Sequence, residues 1–296
     1  MARKDHMDAA GALALVAFSA LMGINQVVVK VVNEGLQPVF FAGLRSGLAV
    51  LCIAGWMALR GLPVRPARGT VGAGLLIGAV FSIEFLFLFV ALDLTTVSRT
   101  AVIFYSMPVW LALAAHFLLP GERITARKAA GLALAMVGVA WAILARGAGN
   151  GEASLAGDLC ALAAAMFWAG IALCARGTAL TAERPEMQLM WQVGVSAPVL
   201  LIAAPFFGPL IRDLQPIHLW GLGFQAVVVV SFGFIAWLWL LSVYPASSVA
   251  SFSFLGPIFG VGFGWLLLGE SIGPALWGAL VLVALGLVLI NRPPRP

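Results

Sequence analysis

Two side chains that carry full charge stand inside long apolar runs of the sequence. Arg45 follows VFFAGL, and Glu84 lies within LLIGAVFSIEFLFLFVAL. An ionised side chain inside a membrane span costs about 2.5–3.5 kcal/mol on insertion scales, and it is usually paired or functional. A guanidinium and a carboxylate could receive the two ends of a zwitterion. The pattern leaves two interpretations open: a site for a zwitterion or cation, or an ion pair that holds two helices in register.

Weaker polar and aromatic signals accompany this pair at helical spacing. One stripe consists of Ser98, Ala101, Val102, Tyr105 and Pro108, and a second of Ser247, Ala250, Ser251, Phe254 and Pro257. Small side chains beside one aromatic ring could line a narrow pocket, and they could equally let two helices pack closely. At about 1.5 Å per residue, Asn25 and Tyr105 fall at depths near those of the charged pair. The candidate cavity residues are Asn25, Arg45, Glu84, Ser98, Tyr105, Trp168, Gln192, Trp239, Ser251, Phe252 and Phe254.

The composition places these residues in a membrane protein. The chain has 296 residues, of which 62% are hydrophobic and 10% charged, and its mean hydropathy is +1.05. So much apolar surface cannot be buried in a water-soluble fold, so the sequence predicts an all-α membrane protein with the lipid bilayer as a partner. The basic residues lie between apolar runs and not along one polar face, so no nucleic-acid partner is expected.

Apolar runs of about 20 residues divide the chain into ten predicted transmembrane helices. They begin near Ala9, Pro38, Val71, Thr96, Ala126, Leu155, Met187, Leu219, Ser247 and Gly273. With a cytoplasmic N-terminus, the cytoplasmic side carries 12 of the lysines and arginines between spans and the other side carries 4. This bias predicts that both termini are cytoplasmic. The charges Asp93 and Arg99 flank a predicted turn, where solvated loop charges are expected.

The second half of the sequence repeats the first. ALDLTTVSRTAVIFYSMPVW aligns with LLSVYPASSVASFSFLGPIF at an offset of 149 residues, which sets Pro108 on Pro257. The pattern predicts two five-helix units, residues 1–148 and 149–296. Because five is odd, the second unit must enter the bilayer from the opposite side, which gives an inverted repeat around a central cavity. Prolines in equivalent helices mark hinges or kinks on the path, because neighbouring groups must satisfy the carbonyls they free.

These features resemble the EamA family of the drug/metabolite transporter superfamily. The residues that carry the resemblance are the Met22-Gly23 and Trp168-Ala169 pairs in the first helix of each repeat, FAGLRSGLA in the second helix, and a proline followed by Gly-Glu in helices four and nine. The family implies ten spans in two EamA-type repeats and a small-molecule substrate. The composition is most similar to the YddG-type aromatic amino-acid exporters.

The resulting prediction is a secondary carrier in the bacterial inner membrane that exports small organic metabolites by alternating access. Aromatic or other neutral amino acids are the favoured substrates, and Glu84 is the candidate for proton coupling. A sugar-phosphate or nucleotide-sugar exchanger is the alternative, although it would need several converging cations. An intramembrane enzyme is disfavoured because the sequence has no nucleophile elbow, no zinc motif and no pair of intramembrane aspartates. Direct use of ATP is not expected, because the sequence has no phosphate loop. No cofactor or metal is expected.

Overall fold

The computed structural model describes residues 7–119, 122–145, 153–244, 249, 252 and 254–291, and within these ranges the chain is helical. Its α-helices are α1 (Ala9–Gly35), α2 (Pro38–Leu59), α3 (Val71–Leu94), α4 (Val97–Phe104), α5 (Met107–Leu118), α6 (Ala126–Leu144), α7 (Leu155–Gly177), α8 (Pro185–Ala203), α9 (Pro216–Phe224), α10 (Gly233–Val243), α11 (Leu255–Leu268) and α12 (Pro274–Asn291).

Polar residues at the joints cap five of these helices. The side chains of Asp8, Gln37, Thr96, Thr125 and Ser154 each accept a hydrogen bond from a backbone N–H in the first turn of the helix that follows. Such caps satisfy donors that have no partner within the helix. The capping side chains therefore help to fix where these five helices begin.

The helices are long and apolar enough for a membrane protein. Among the described residues, eight helical stretches of at least 18 residues could span a bilayer, and two shorter apolar ones run from Pro216 to Phe232 and from Leu255 to Leu268. The structure thus confirms an all-α membrane protein. The order of ten spans, their inversion and the sidedness of the termini stay predictions.

The fourth apolar stretch is broken in its middle. Helix α4 ends at Phe104, a turn follows at Tyr105 and Ser106, and α5 starts with Pro108 in its first turn. A proline in the first turn costs no hydrogen bond, because the N–H at that position has no helical acceptor. Pro257 lies likewise in the first turn of α11, which begins at Leu255. Both prolines thus begin a helical segment.

The shorter apolar stretch that begins at Pro216 contains a π-helical segment, Gln225–Phe232, between α9 and α10. The Ser231 hydroxyl donates to the Ala226 carbonyl at 2.9 Å, five residues back along the chain. Wide turns of this kind are rare and often occur at functional sites, because they leave backbone groups and side chains out of the regular ladder. This feature is not visible in the sequence pattern.

The joints gather at two ends of the bundle. The near end is where α1 begins and α12 ends, and there the Tyr244 hydroxyl donates to Asp8 Oδ1 at 2.7 Å. At the far end, Leu36 forms a β-bridge with Ile211, and Arg212 pairs with Asp93 at 2.6 Å. The hydrogen bond to Asp93 raises the pKa of Arg212 above its ordinary value, so this cation stays charged.

Helices α6 and α12 pack closely through glycines. A methyl group added at Gly131 would lie 2.8 Å from the Gly286 carbonyl oxygen, and one at Gly286 would lie 2.6 Å from the Gly131 carbonyl oxygen. Such close approach of two backbones is typical of helix packing in membranes. The last helices of the two predicted repeats therefore form a tightly joined pair.

Candidate functional site

Arg45 is buried on α2, with 6% of its surface exposed. Its guanidinium carbon lies 4.4 Å from the centroid of the Phe85 ring and 5.6 Å from that of Phe89. Its Nε has no hydrogen-bond partner among the described residues. The two aromatic rings of α3 partly compensate for the burial of the Arg45 charge, but they leave the N–H groups of its guanidinium available to a ligand.

Glu84 is buried on α3, next in sequence to Phe85, with 2% of its surface exposed. The charges of Arg45 and Glu84 attract each other. In the described part of the chain, however, no ion pair joins the two side chains within 4.0 Å. A direct ion pair that fixes the helix register would need such a contact, and the described residues do not show it. Two separated charges are suited instead to bind the two ends of a zwitterion.

An aromatic cluster forms where the fourth apolar stretch breaks. The Phe104 ring stacks on Trp168 of α7 with centroids 4.7 Å apart, and the Tyr105 ring meets Trp168 edge-on at 6.0 Å. The Tyr105 ring also lies against Gly256 of α11, where a methyl group would come within 2.5 Å of it. The structure thus joins two predicted site residues, Tyr105 and Trp168, and adds Phe104, which the sequence did not single out.

Buried amide side chains form a second polar feature. Gln225 donates from Nε2 to the backbone oxygen of Asn25 at 3.1 Å. Asn25 Oδ1, Gln26 Oε1 and Gln225 Oε1 are buried and have no partner in the ranges that the structure describes. Buried acceptors without donors are uncommon in native proteins and indicate ligand or water. Gln26 and Gln225 were missed from sequence, although each is a polar residue in an apolar run.

The other residues that the sequence predicted for the site have different neighbours. Gln192 donates from Nε2 to the backbone oxygen of Gln188, one turn earlier on α8. Phe252 packs in a separate cluster around Tyr244, and the Trp239 ring lies 6.2 Å from the Tyr244 ring. Phe254 packs in the same cluster as Tyr105. Ser251, like Ser247 and Ala250, lies outside the described residues.

The polar stripe on α4 packs against a row of glycines on α11. Additional methyl groups would meet Tyr105 from Gly256 at 2.5 Å, the Ala101 side chain from Gly260 at 2.4 Å, and the Ser98 hydroxyl from Gly264 at 2.7 Å. We call this contact between α4 and α11 the glycine seam. The seam is compatible with both interpretations of the stripe. The two helices pack closely here, and the same side chains would line a pocket if the helices separated.

Arg99 does not behave as a solvated loop charge. It is 7% exposed, and its guanidinium makes hydrogen bonds of 3.0 and 2.5 Å to the carboxylate of Asp158 and one of 2.5 Å to the Ala142 carbonyl. Asp158 is 0% exposed and also accepts from the Thr95 hydroxyl. The expectation for Arg99 is wrong because its partner lies 59 residues away on α7, beyond any local pattern. Asp93, by contrast, is only partly buried and pairs with Arg212.

A cavity of about 170 Å³ opens beside Pro108 at the near end. Apolar residues of α5 line one wall, and Arg123, Lys128, Arg176 and Glu122 line the rim. Arg176 forms an ion pair with Glu122 across this rim. Past the helix break, α5 packs mainly on α7.

The sequence model of the EamA-like transporter family matches residues 9–144 and again 155–292. The chain belongs to this family. An EamA-like chain is a membrane transporter of small metabolites, and it is not an enzyme.

Relatives of this EamA-like transporter agree in length and fold. The chain is 28% identical to the "Probable amino-acid metabolite efflux pump" of Salmonella typhimurium, over 96% of this chain and 94% of that protein. It is 24% identical to the "Uncharacterized inner membrane transporter YedA" of Escherichia coli, over 94% and 89%. A solved crystal structure matches with a TM-score of 0.66 at 19% identity, over 96% of each chain, which supports the fold alone. The chain is a multi-pass protein of the bacterial inner membrane.

Proposed function

We propose that this EamA-like transporter is a secondary carrier that exports amino acids, with aromatic and other neutral ones as the preferred substrates. The observation that carries the proposal is the buried arrangement of Arg45 and Glu84, two opposite charges without an ion-pair contact to each other. The guanidinium would bind the substrate carboxylate in a forked pair, and Glu84 would bind its ammonium group.

The aromatic cluster supports the choice of substrate side chain. Phe104, Tyr105 and Trp168 lie together at the helix break. Such rings offer a flat apolar surface, and a substrate ring can stack on it or meet its edge. Relatives that bear the name of amino-acid metabolite efflux pumps point the same way. Asn25, Ser98, Gln192, Trp239, Ser251, Phe252 and Phe254 stay candidate cavity residues.

Alternating access between two inverted repeats is the proposed mechanism. The family matches two successive segments of this chain, which is consistent with a duplication into residues 1–148 and 149–296. An odd number of helices per unit would invert the second copy in the bilayer. The breaks before Pro108 and Pro257 would allow the halves of each helix to tilt against each other. The substrate site would then face one side of the membrane at a time.

An exchanger of sugar phosphates or nucleotide sugars is the second candidate within the superfamily. Phosphate recognition needs several converging cations that are free to bind it. Two arginines are buried in the part of the chain that the structure describes. Arg99 is already bound to Asp158, which leaves Arg45. This arrangement favours the amino-acid substrate.

Substrate counterflow in proteoliposomes tests the proposal. Vesicles loaded with unlabelled phenylalanine, leucine, an organic cation or a hexose phosphate are diluted into the labelled form of the same compound. We expect transient accumulation of labelled phenylalanine and, more weakly, of leucine, because both are zwitterions with apolar side chains. Empty liposomes are the control. Counterflow of the hexose phosphate alone would refute the amino-acid proposal.

Proton coupling through Glu84 is a separate part of the proposal. A buried carboxylate that exchanges a proton during transport should make the rate depend on pH. Glu84→Gln should transport more slowly, because it loses the charged partner of the substrate ammonium group, and its residual rate should no longer change between about pH 5.5 and pH 8. Glu34→Gln, which alters an exposed carboxylate at the end of α1, should keep the pH profile of the parent protein. An unchanged profile in Glu84→Gln would remove this role.

A further inference from the structure

A buried carboxylate from the second half of the chain holds the first turn of α4. Glu270 Oε1 accepts from the Val97 N–H at 2.6 Å, and Oε2 accepts from the Ser98 N–H at 2.8 Å and from the Ser98 hydroxyl at 2.6 Å. Only 9% of Glu270 is exposed. Its partners lie 172 and 173 residues away in the sequence, so these bonds join the two halves of the protein.

The helix terminus is well suited to a carboxylate. The Thr96 side chain accepts from the third N–H of the turn, that of Arg99, so with Glu270 all of the first three N–H groups have acceptors. The first turn of a helix carries a partial positive charge, and bonds to an ionised group are stronger than neutral ones. The three hydrogen bonds that Glu270 accepts are therefore a strong local contact with α4.

The local backbone brings Glu270 to this position. Helix α11 ends at Leu268 and is capped by Gly269, whose φ of 65° lies in the left-handed region that favours glycine. The turn directs the Glu270 N–H back to the Gly264 carbonyl at 3.2 Å. Gly264 also touches both the Ser98 hydroxyl and the Glu270 carboxylate, since a methyl group there would meet them at 2.7 and 2.6 Å. The contact thus sits at the far end of the glycine seam.

We propose that Glu270 is the gate residue of the far end: its bonds to α4 hold the glycine seam closed, and the seam opens to that side when they break. This inference rests on alternating access in the proposed function. Apart from Glu270, the seam consists of glycines facing small side chains and one ring, and van der Waals packing holds these together. Glu270 supplies the polar contact that decides between the closed and open states.

Accessibility of a buried cysteine from the two sides of the membrane tests the proposal. The full chain carries alanine at Cys52, Cys160 and Cys174 and one reporter, Thr100→Cys. Thr100 lies on α4, is 0% exposed, and its hydroxyl has no hydrogen-bond partner in the described ranges. A membrane-impermeant maleimide is applied to spheroplasts for one face and to inverted vesicles for the other.

Glu270→Gln should label about tenfold faster from the far side and more slowly from the near side, because at least one charge-assisted bond is lost. Ser98→Ala removes the hydroxyl bond but keeps the two backbone bonds, so it should shift labelling in the same direction by less. Ser98→Ala also decides the outcome if Glu270→Gln fails to fold.

Glu183→Gln is the matched control. Glu183 is 8% exposed, and at the near end it accepts from the Ala67 N–H at 2.9 Å and from the Thr70 hydroxyl at 2.5 Å. It should leave far-side labelling unchanged. Labelling of Glu270→Gln that matches the parent, or that rises equally from both faces, would overturn the proposal. The labelling experiment needs no substrate. A failure of amino-acid counterflow would therefore refute the proposed substrate without changing the labelling result.

Discussion

Arg45→Met should fold normally and lose transport of its amino-acid substrate by about 10- to 100-fold. The expected loss corresponds to the charge-assisted hydrogen bonds that a guanidinium makes to a substrate carboxylate. Methionine keeps an unbranched chain that can still pack on the Phe85 ring, which lies 4.4 Å from the guanidinium. Counterflow in proteoliposomes measures the loss, and thermal unfolding in detergent measures the stability.

Two variants sharpen this test. Arg45→Lys keeps the charge but not the planar fork, so its transport should be intermediate. Arg60→Ala removes an exposed cation at the end of the same helix, whose guanidinium lies 5.4 Å from the Trp56 ring, and it should transport like the parent. A register role for Arg45 predicts instead that Arg45→Met unfolds at lower temperature. Full transport by a stable Arg45→Met would exclude Arg45 from the site.

Arg99→Ala should destabilise the protein by about 3–5 kcal/mol, the range for removing one partner of a buried ion pair. The cost arises because Asp158, which is 0% exposed, is left with an uncompensated charge. Unfolding by denaturant in detergent micelles measures the change in free energy. The double variant Arg99→Met with Asp158→Leu removes both charges, so much of the stability should return.

The exposed pair at the same end of the bundle provides the comparison. Arg212 bonds to Asp93 with a geometry as good as that of Arg99, at 2.6 and 3.0 Å, but 36% of its side chain is exposed. Arg212→Ala should therefore change the stability by about 1 kcal/mol or less. Equal losses in Arg99→Ala and Arg212→Ala would show that burial does not set the energy of these pairs.

Hydropathy alone located most of the helices. The predicted starts at Ala9, Pro38, Val71, Ala126 and Leu155 coincide with the first residues of helices in the structure. Each start combines an apolar run with a polar or proline residue at the joint, and both signals are local in sequence. The predicted start near Ser247 falls outside the described residues.

The sequence pattern could not predict contacts between segments that are far apart in the chain. Arg99 looked like a loop charge because nothing near it in sequence reveals Asp158. Glu270 stood out only as part of a repeated Gly-Glu pair, and its partners on α4 are 172 and 173 residues away. The prolines gave the right position for an interruption, but the structure shows a broken helix with Pro108 at the start of the second segment and not a kink within one helix.

The contact of Gly131 with Gly286 limits which parts of the protein can move. Because the main chains of α6 and α12 touch there, sliding or tilting of either helix would drive one backbone into the other. These two helices should therefore travel as a single rigid body through the transport cycle.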